Sequence, residues 1–164
     1  MAHLFLIGGL SGTGKTSFAL TAAQPKDGIV SADDYMIDGN GNYSFDSKRL
    51  QAAHDMCRNQ VAEWMQEDRF RIWVHNTFLE YWELEPYRLL ADRYGYMLHV
   101  AMIYRPGAEI PAHISPAVMD LQKAKFDSLM HEYTDQDETA GEQFDRLTKP
   151  NRESLEKMKK ELFG

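Results

Sequence analysis

One segment near the start of the chain constrains the fold more than any other feature of the sequence. Residues 9–16, Gly-Leu-Ser-Gly-Thr-Gly-Lys-Thr, match the pattern G-x-x-x-x-G-K-[ST]. The apolar pattern of residues 3–7 before it is continuous rather than alternating and ends at two glycines, which is typical of a strand buried on both faces. Residues 16–23 after it contain neither Gly nor Pro and predict a helix. A strand, a glycine-rich turn and a helix in this order predict a phosphate-binding loop.

The residue types of this loop suit the phosphates of a nucleoside triphosphate. Glycines let backbone N–H groups close around phosphate oxygens, and the helix N-terminus adds the positive end of its dipole. Lys15 can reach the β- and γ-phosphates, and the Thr16 hydroxyl can take a place on Mg²⁺ as a metal ligand. The predicted nucleotide-binding residues are Gly9, Ser11, Gly12, Thr13, Gly14, Lys15, Thr16 and Ser17.

Strand and helix patterns alternate along the rest of the chain. Such alternation predicts an α/β fold with a doubly wound parallel sheet and helices on both faces, in which ligands bind at the carboxyl ends of the strands. Residues 33–45, with two glycines and two asparagines, predict a loop or a hairpin. The other predicted elements are strands at 28–31, 71–74 and 96–104 and helices at about 50–67, 81–94 and 116–133.

Length and composition set outer bounds on the class of protein. The chain has 164 residues, of which 43% are hydrophobic, enough for one core. We expect a single domain over residues 1–164, with an acidic linker at 132–145 and a C-terminal helical segment at 146–164.

The formal net charge of −7 argues against a general nucleic-acid coat protein, because phosphate neutralisation needs a basic surface. The apolar run near the N-terminus is too short to span a membrane, so we expect a cytoplasmic protein with no membrane partner. The oligomeric state is left open.

Motif content and a pair of carboxylates limit the class of reaction that this chain could catalyse. A GTPase would usually carry an Asn-Lys-x-Asp motif, which this chain lacks, and a motor would need a larger body, so a small kinase is favoured. Asp33 and Asp34 directly follow the predicted second strand, which places them beside the phosphate loop. A carboxylate there can accept a proton from an attacking hydroxyl, and one of the two is enough. Capping of a turn is the alternative role.

Together with the phosphate loop, four short motifs resemble the polynucleotide 5′-kinase-like P-loop family. The resemblance implies an adenylate-kinase-type parallel sheet and ATP-dependent, Mg²⁺-assisted phosphorylation of a hydroxyl, often the 5′-OH of a nucleic acid. It also implies Asp33 as the general base and places Asn76 and Thr77 at the substrate-facing end of the third strand. The four motifs are residues 31–35 (Ser-Ala-Asp-Asp-Tyr), Ala53 with His54, Asn76 with Thr77, and Trp82, Glu83, Pro86 and Tyr87.

Three positions depart from the family's pattern. Met36 stands where an arginine that meets the acceptor's phosphate commonly follows Asp-Asp-Tyr. His75 stands where many members have an aspartate, and Ile110 with Pro111 replaces an Arg-Asn pair of the lid. Lid arginines neutralise charge on the transferring phosphoryl group, and Arg105, directly after the fourth strand, is the nearest substitute. A surface salt bridge is the alternative role of Arg105.

These observations predict an ATP-dependent kinase with Asp33, Lys15 and Arg105 as catalytic residues. The residue pattern favours the 5′-OH of a polynucleotide as acceptor, whereas Met36 and the acidic charge favour a small molecule or a nucleoside. The missing lid arginines and His75 favour a third interpretation, a nucleotide-binding regulator without turnover. The predicted substrate-binding residues are Asp34, His54, His75, Asn76 and Thr77, with hydrogen-bonded structural histidines as the alternative for His54 and His75.

Overall fold

Four parallel strands form the centre of the protein in the computed structural model, which describes residues 1–133. The sheet order is β2-β3-β1-β4, so β1 lies between β3 and β4, and Phe5 pairs with Trp73 on one side and His99 on the other. Leu4 and Leu6 have no exposed surface, as the continuous apolar pattern predicts for a central strand. The strands are β1 (His3–Gly9), β2 (Gly28–Val30), β3 (Arg71–His75) and β4 (Met97–Ile103).

Helices cover both faces of this sheet, which confirms the predicted doubly wound α/β class. On one face Ala19 of the first helix packs with Ile7 and Trp73. On the other face the second and third helices contribute Val61 and Leu90 to the main core. The helices are α1 (Lys15–Ala22), α2 (Leu50–Gln66), α3 (Tyr81–Tyr94) and α4 (Pro116–Tyr133), with short 3-10 helices at Ala32–Tyr35 and Ser47–Arg49.

Local signals explain where several of these elements begin and end. The α3 helix starts at a capping box in which the Glu83 carboxylate accepts the N–H groups of Leu79 at 2.7 Å and Glu80 at 2.9 Å. It ends at Gly95, whose φ of 70° is the left-handed conformation that glycine adopts at little cost. On α2, Ala53, Cys57, Val61 and Met65 are buried at a spacing of four residues, which places them on one face of the helix.

The glycine-rich segment after the first 3-10 helix is a hairpin. Ile37 and Tyr43 form an antiparallel bridge across it. The Asp38 carboxylate accepts the N–H groups of Asn40 at 2.8 Å and Asn42 at 3.0 Å, and Gly41 has a φ of 82°. These local bonds give the hairpin a defined shape at the carboxyl edge of the sheet.

Because all four strands run parallel, the segments that follow them meet at one edge. The phosphate loop follows β1, the 3-10 helix with Asp33 follows β2, and Asn76 follows β3. The predicted segment at 146–164, and the predicted linker beyond residue 133, lie outside the described residues. None of the helices within residues 1–133 combines the length and apolarity that a membrane crossing needs.

Candidate active site

The phosphate loop has the conformation that its glycines predict. Gly9, Gly12 and Gly14 have φ values of 136°, 84° and 96°, which residues with a side chain rarely adopt. Gly12 also has no room for a side chain, because a Cβ there would lie 2.5 Å from the carbonyl oxygen of Glu109. The first turn of α1 has no acidic residue and no side-chain cap from the described residues. Its N–H groups are therefore available to phosphate oxygens.

Lys15 lies folded against this loop. Its Nζ donates a hydrogen bond to the carbonyl oxygen of Leu10 at 2.7 Å. Burial lowers the pKa of Lys15 to about 8, while the negative charge of Asp33 acts in the opposite direction. A bound phosphate would favour the ammonium form in the same way as Asp33 does, so nucleotide binding and the charge of Lys15 support each other.

His75 contacts the hydroxyl of Thr16, the predicted metal ligand. Thr16 Oγ1 and His75 Nδ1 are hydrogen bonded at 3.2 Å, and His75 is only 9% exposed. Burial lowers the pKa of His75, and the nearby Asp34 and Asp33 offset this only in part. A neutral imidazole can accept the Thr16 proton, and the hydroxyl oxygen then keeps its lone pairs for a cation.

The two neighbouring carboxylates have different environments. Asp34 accepts the N–H of Ser31 at 2.7 Å within the capping box of the 3-10 helix, so it stabilises the turn. The side chain of Asp33 is exposed, and among the described residues its one hydrogen bond comes from the Tyr43 hydroxyl at 3.3 Å. Asp33 therefore has acceptor capacity to spare beside Lys15.

Asn76 and Thr77 have internal partners. The buried Asn76 accepts the N–H of Ala32 at 2.9 Å through Oδ1 and directs Nδ2 to Cys57 Sγ at 3.9 Å. The Thr77 hydroxyl donates to Glu83 at 3.3 Å, and the Thr77 carbonyl accepts the N–H of Gly9 at 2.9 Å. Both residues thus tie the end of β3 to the loops on either side and hold the edge of the site together. Their contact with a substrate stays a prediction.

The remaining predicted residues lie at the margin of the site. Burial and the charge of Arg58 lower the pKa of His54, while Asp33 acts to raise it, which places His54 within electrostatic reach of Asp33. Arg105 is exposed and its side chain has no partner within residues 1–133. Met36 has no exposed surface and packs with Ala32 and Ala53, so the residue that replaces the family's arginine faces the interior.

The segment in which the resemblance places the lid covers the phosphate loop. We refer to residues 105–115 as the cover segment. Its Pro111 Cδ would lie 3.0 Å from a Cβ at Gly12, and its His113 ring lies 4.8 Å from the Tyr43 ring. From α4, just beyond it, Gln122 Oε1 accepts the N–H of Ser11 at 3.0 Å. The site is therefore bounded by the phosphate loop, the Asp33 turn, the hairpin and the cover segment.

The protein's oxygen ligands suit Mg²⁺ only when nucleotide phosphates complete its coordination. Within residues 1–133 no group of three or more His, Cys, Asp or Glu side chains could hold a metal ion alone. Mg²⁺ in nucleotide sites is usually held by one or two protein oxygens together with waters and phosphate oxygens. The Thr16 hydroxyl at the start of α1 is the protein oxygen that would take part in that arrangement.

The fold and this site define the class of the protein. A parallel sheet in the order β2-β3-β1-β4 with a phosphate loop between β1 and α1 is a P-loop fold of the kinase-like type, as the resemblance predicts. Residues 4–115, more than half of the chain, match the family model described as AAA domain (AAA_33), and the chain belongs to that family.

A human protein and chains of two solved structures are similar to this chain, which spans less than half the length of each. NEDD4-binding protein 2 from Homo sapiens is 38% identical over 95 residues, which is 57% of this chain and 5% of the human protein. A chain of the Pnkp1/Rnl/Hen1 RNA repair complex superposes with a TM-score of 0.63 at 13% identity, covering 80% of this chain and 46% of that chain. A second structure of the Pnkp1/Rnl/Hen1 complex gives a TM-score of 0.54 at 17% identity, covering 70% and 40%. At these identities the structural likeness concerns the fold.

Proposed function

We propose that this protein transfers the γ-phosphoryl group of ATP, with Mg²⁺, to the 5′-OH of a polynucleotide. The observation that carries the proposal is the exposed carboxylate of Asp33, which acts on the pKa of Lys15 at the edge where the phosphate loop ends. A nucleic-acid acceptor is supported by the motif resemblance and by the likeness of fold to a chain of an RNA repair complex.

The phosphate loop supplies the nucleotide end of the site. Its glycines and the free first turn of α1 present backbone N–H groups to the phosphates, and Lys15 adds a charge near the bond that breaks. When bound, Mg²⁺ neutralises charge on the phosphate oxygens, and Thr16 would hold it there. His75 orients the Thr16 hydroxyl through their hydrogen bond.

Asp33 supplies the acceptor end. One of its carboxylate oxygens accepts the Tyr43 hydroxyl, and the other remains to accept the proton of the attacking hydroxyl. The bond between the acceptor oxygen and the γ-phosphorus forms while the bond to the β–γ bridging oxygen breaks, so ADP leaves and the proton passes to Asp33. Arg105, exposed on the cover segment and without a side-chain partner among residues 1–133, would stabilise charge on the transferring group.

The test is transfer of label from γ-labelled ATP to three separate acceptor pools: 5′-OH oligonucleotides, nucleosides and small polyols. The proposal predicts label at the oligonucleotide 5′ end that is lost in Lys15→Ala. Asp33→Asn should lower transfer by a factor of about 10² or more while ATP binding is kept, since only the base is removed. Asp68→Asn is the matched control: Asp68 is exposed at the opposite edge of the sheet, and Asn tolerates its φ of 55°.

Two further outcomes correspond to other functions. Label in the nucleoside or polyol pool alone would keep the mechanism and replace the acceptor, which the net charge of −7 favours. ATP binding without transfer to any pool would identify a nucleotide-binding regulator. That function is favoured by the departures from the family's pattern, namely the missing lid arginines and His75 where many members have an aspartate.

A further inference from the structure

Tyr43 lies directly against the proposed general base. Its hydroxyl donates to Asp33 Oδ1 at 3.3 Å. The hairpin that carries it is held by the bridge to Ile37 and by the bond from the Ser44 N–H to the Met36 carbonyl oxygen at 2.8 Å. The backbone of the hairpin therefore places Tyr43 beside Asp33.

The cover segment meets Tyr43 on one side of its ring. The His113 and Tyr43 rings have their centroids 4.8 Å apart and are tilted by 56°. Two residues earlier, Pro111 lies against Gly12 of the phosphate loop. The cover segment thus runs from the phosphate loop to the hairpin, and the Tyr43–His113 pair lies at the acceptor end of that path.

Much of this aromatic surface is open to solvent. Tyr43 is 42% exposed, and its hairpin neighbours Ile37 and Phe45 are 44% and 47% exposed. An exposed apolar surface beside an exposed carboxylate suits an acceptor with a flat apolar part next to a hydroxyl. A nucleobase has such a part, and base stacking on an aromatic ring needs no particular base. A polyol has no flat face and would gain little from the same surface.

We propose that Tyr43 and His113 form the platform on which the terminal base of the acceptor stacks, so that its 5′-OH meets Asp33. This role rests on the proposed function and identifies the terminal base as the part of the acceptor that the site contacts. Tyr43 has a second role as a positioning residue, because its hydroxyl donates to Asp33 Oδ1 and leaves Oδ2 to the acceptor.

The experiment compares two oligonucleotides that carry the same 5′-OH and differ only in whether the 5′-terminal nucleotide has a base or is abasic. The wild-type chain should phosphorylate the base-bearing acceptor with a kcat/KM about tenfold higher. Tyr43→Leu should abolish this preference by raising KM for the base-bearing acceptor, and His113→Leu should reduce it. Tyr43→Phe should keep the preference, since it keeps the ring, but lower kcat several-fold. The KM for ATP should not change in any of these variants.

The control is Phe70→Leu, which removes an exposed aromatic ring at the amino edge of the sheet, 58% exposed, and should leave both acceptors unaffected. Equal use of the two acceptors by the wild-type chain would overturn the platform and leave the proposed function intact. A preference that survives in Tyr43→Leu would do the same. If no oligonucleotide is phosphorylated at all, both the function and the platform are wrong.

Discussion

Asp27 links residues at the edge of the sheet opposite the candidate active site, and its removal tests the fold separately from the proposed chemistry. Its carboxylate accepts hydrogen bonds from the Gln24 N–H at 2.9 Å, Trp73 Nε1 at 2.9 Å and Arg71 Nε at 3.0 Å. The Asp27 side chain is 4% exposed and that of Arg71 is 24% exposed. The carboxylate therefore satisfies an indole and a guanidinium that are largely out of contact with water.

Asp27→Ala should lower the free energy of unfolding by about 3 kcal/mol, because both donors lose a charged acceptor in a poorly solvated position. For a chain of this size that corresponds to a fall in Tm of about 6–12 °C. Chemical unfolding at pH 7, followed by far-UV circular dichroism, measures the first quantity, and a thermal scan measures the second. Phosphoryl transfer below the Tm should be unchanged, because Asp27 lies at the other end of the strands.

The pKa of Asp27 determines how the loss of stability in Asp27→Ala should depend on pH. Burial alone would raise the pKa of Asp27, but the three hydrogen bonds and the charge of Arg71 outweigh burial and lower it. A carboxyl whose pKa is lower in the folded state stabilises the protein above its unfolded pKa and loses that contribution as pH falls through the folded value. The difference between wild type and Asp27→Ala should therefore shrink as pH falls below about 4.

Two results would refute this reasoning. A fall in Tm of less than about 2 °C at pH 7 would mean that the three hydrogen bonds contribute little. A difference that stays constant between pH 5 and pH 3 would mean that the charge of Asp27 is not its source. Asp92→Ala is the control: Asp92 is 66% exposed, and its partner Arg88 keeps a second carboxylate, Glu85, so little change is expected.

Three shorter predictions concern the phosphate loop and the core. Gly12→Ala should lower the free energy of unfolding by about 2 kcal/mol and weaken ATP binding, because the φ of 84° is strained for alanine and its Cβ would meet a carbonyl oxygen of the cover segment. Gly39 has open space around it, so Gly39→Ala should change neither quantity in the same unfolding and binding assays. Gln122→Ala should lower the free energy of unfolding by about 1 kcal/mol and raise the KM for ATP, because the N–H of Ser11 in the phosphate loop loses its partner. An unchanged KM would mean that this contact does not contribute to nucleotide binding. Burial raises the pKa of the Cys57 thiol to about 11, so it should react with a thiol reagent only at the rate of unfolding, and fast labelling of the folded chain would contradict its burial.

Much of the fold was predictable because its signals are local. The α3 bounds of Tyr81–Tyr94 and the α4 bounds of Pro116–Tyr133 are those that the sequence predicts. A glycine in the left-handed conformation ends α3, and a proline begins α4, so each boundary is encoded within a few residues. By contrast, β1 extends to Gly9 rather than ending at residue 7. Its last two residues are strand because they pair with Met102 and Ile103 of β4, which the local pattern does not encode.

The site divides in the same way. The sequence predicts the phosphate loop, since the glycine spacing that shapes it spans eight residues, and it predicts that one of two adjacent carboxylates is available for chemistry. It did not separate the roles of the two carboxylates, although the spacing of Ser31 and Asp34 is that of the capping box which the structure shows. The burial of Met36 against Ala53 depends on how α2 packs on the 3-10 turn after β2.

Short patterns of residue type and spacing are enough to predict the class of fold, the phosphate loop and the two carboxylates after β2. The tertiary structure alone decided what surrounds them. The hydrogen bond from Ser11 to Gln122 joins residues 111 positions apart, and the His113 ring reaches Tyr43 from a different loop. Such contacts result from the packing of several elements at once, so no local pattern of residues specifies them.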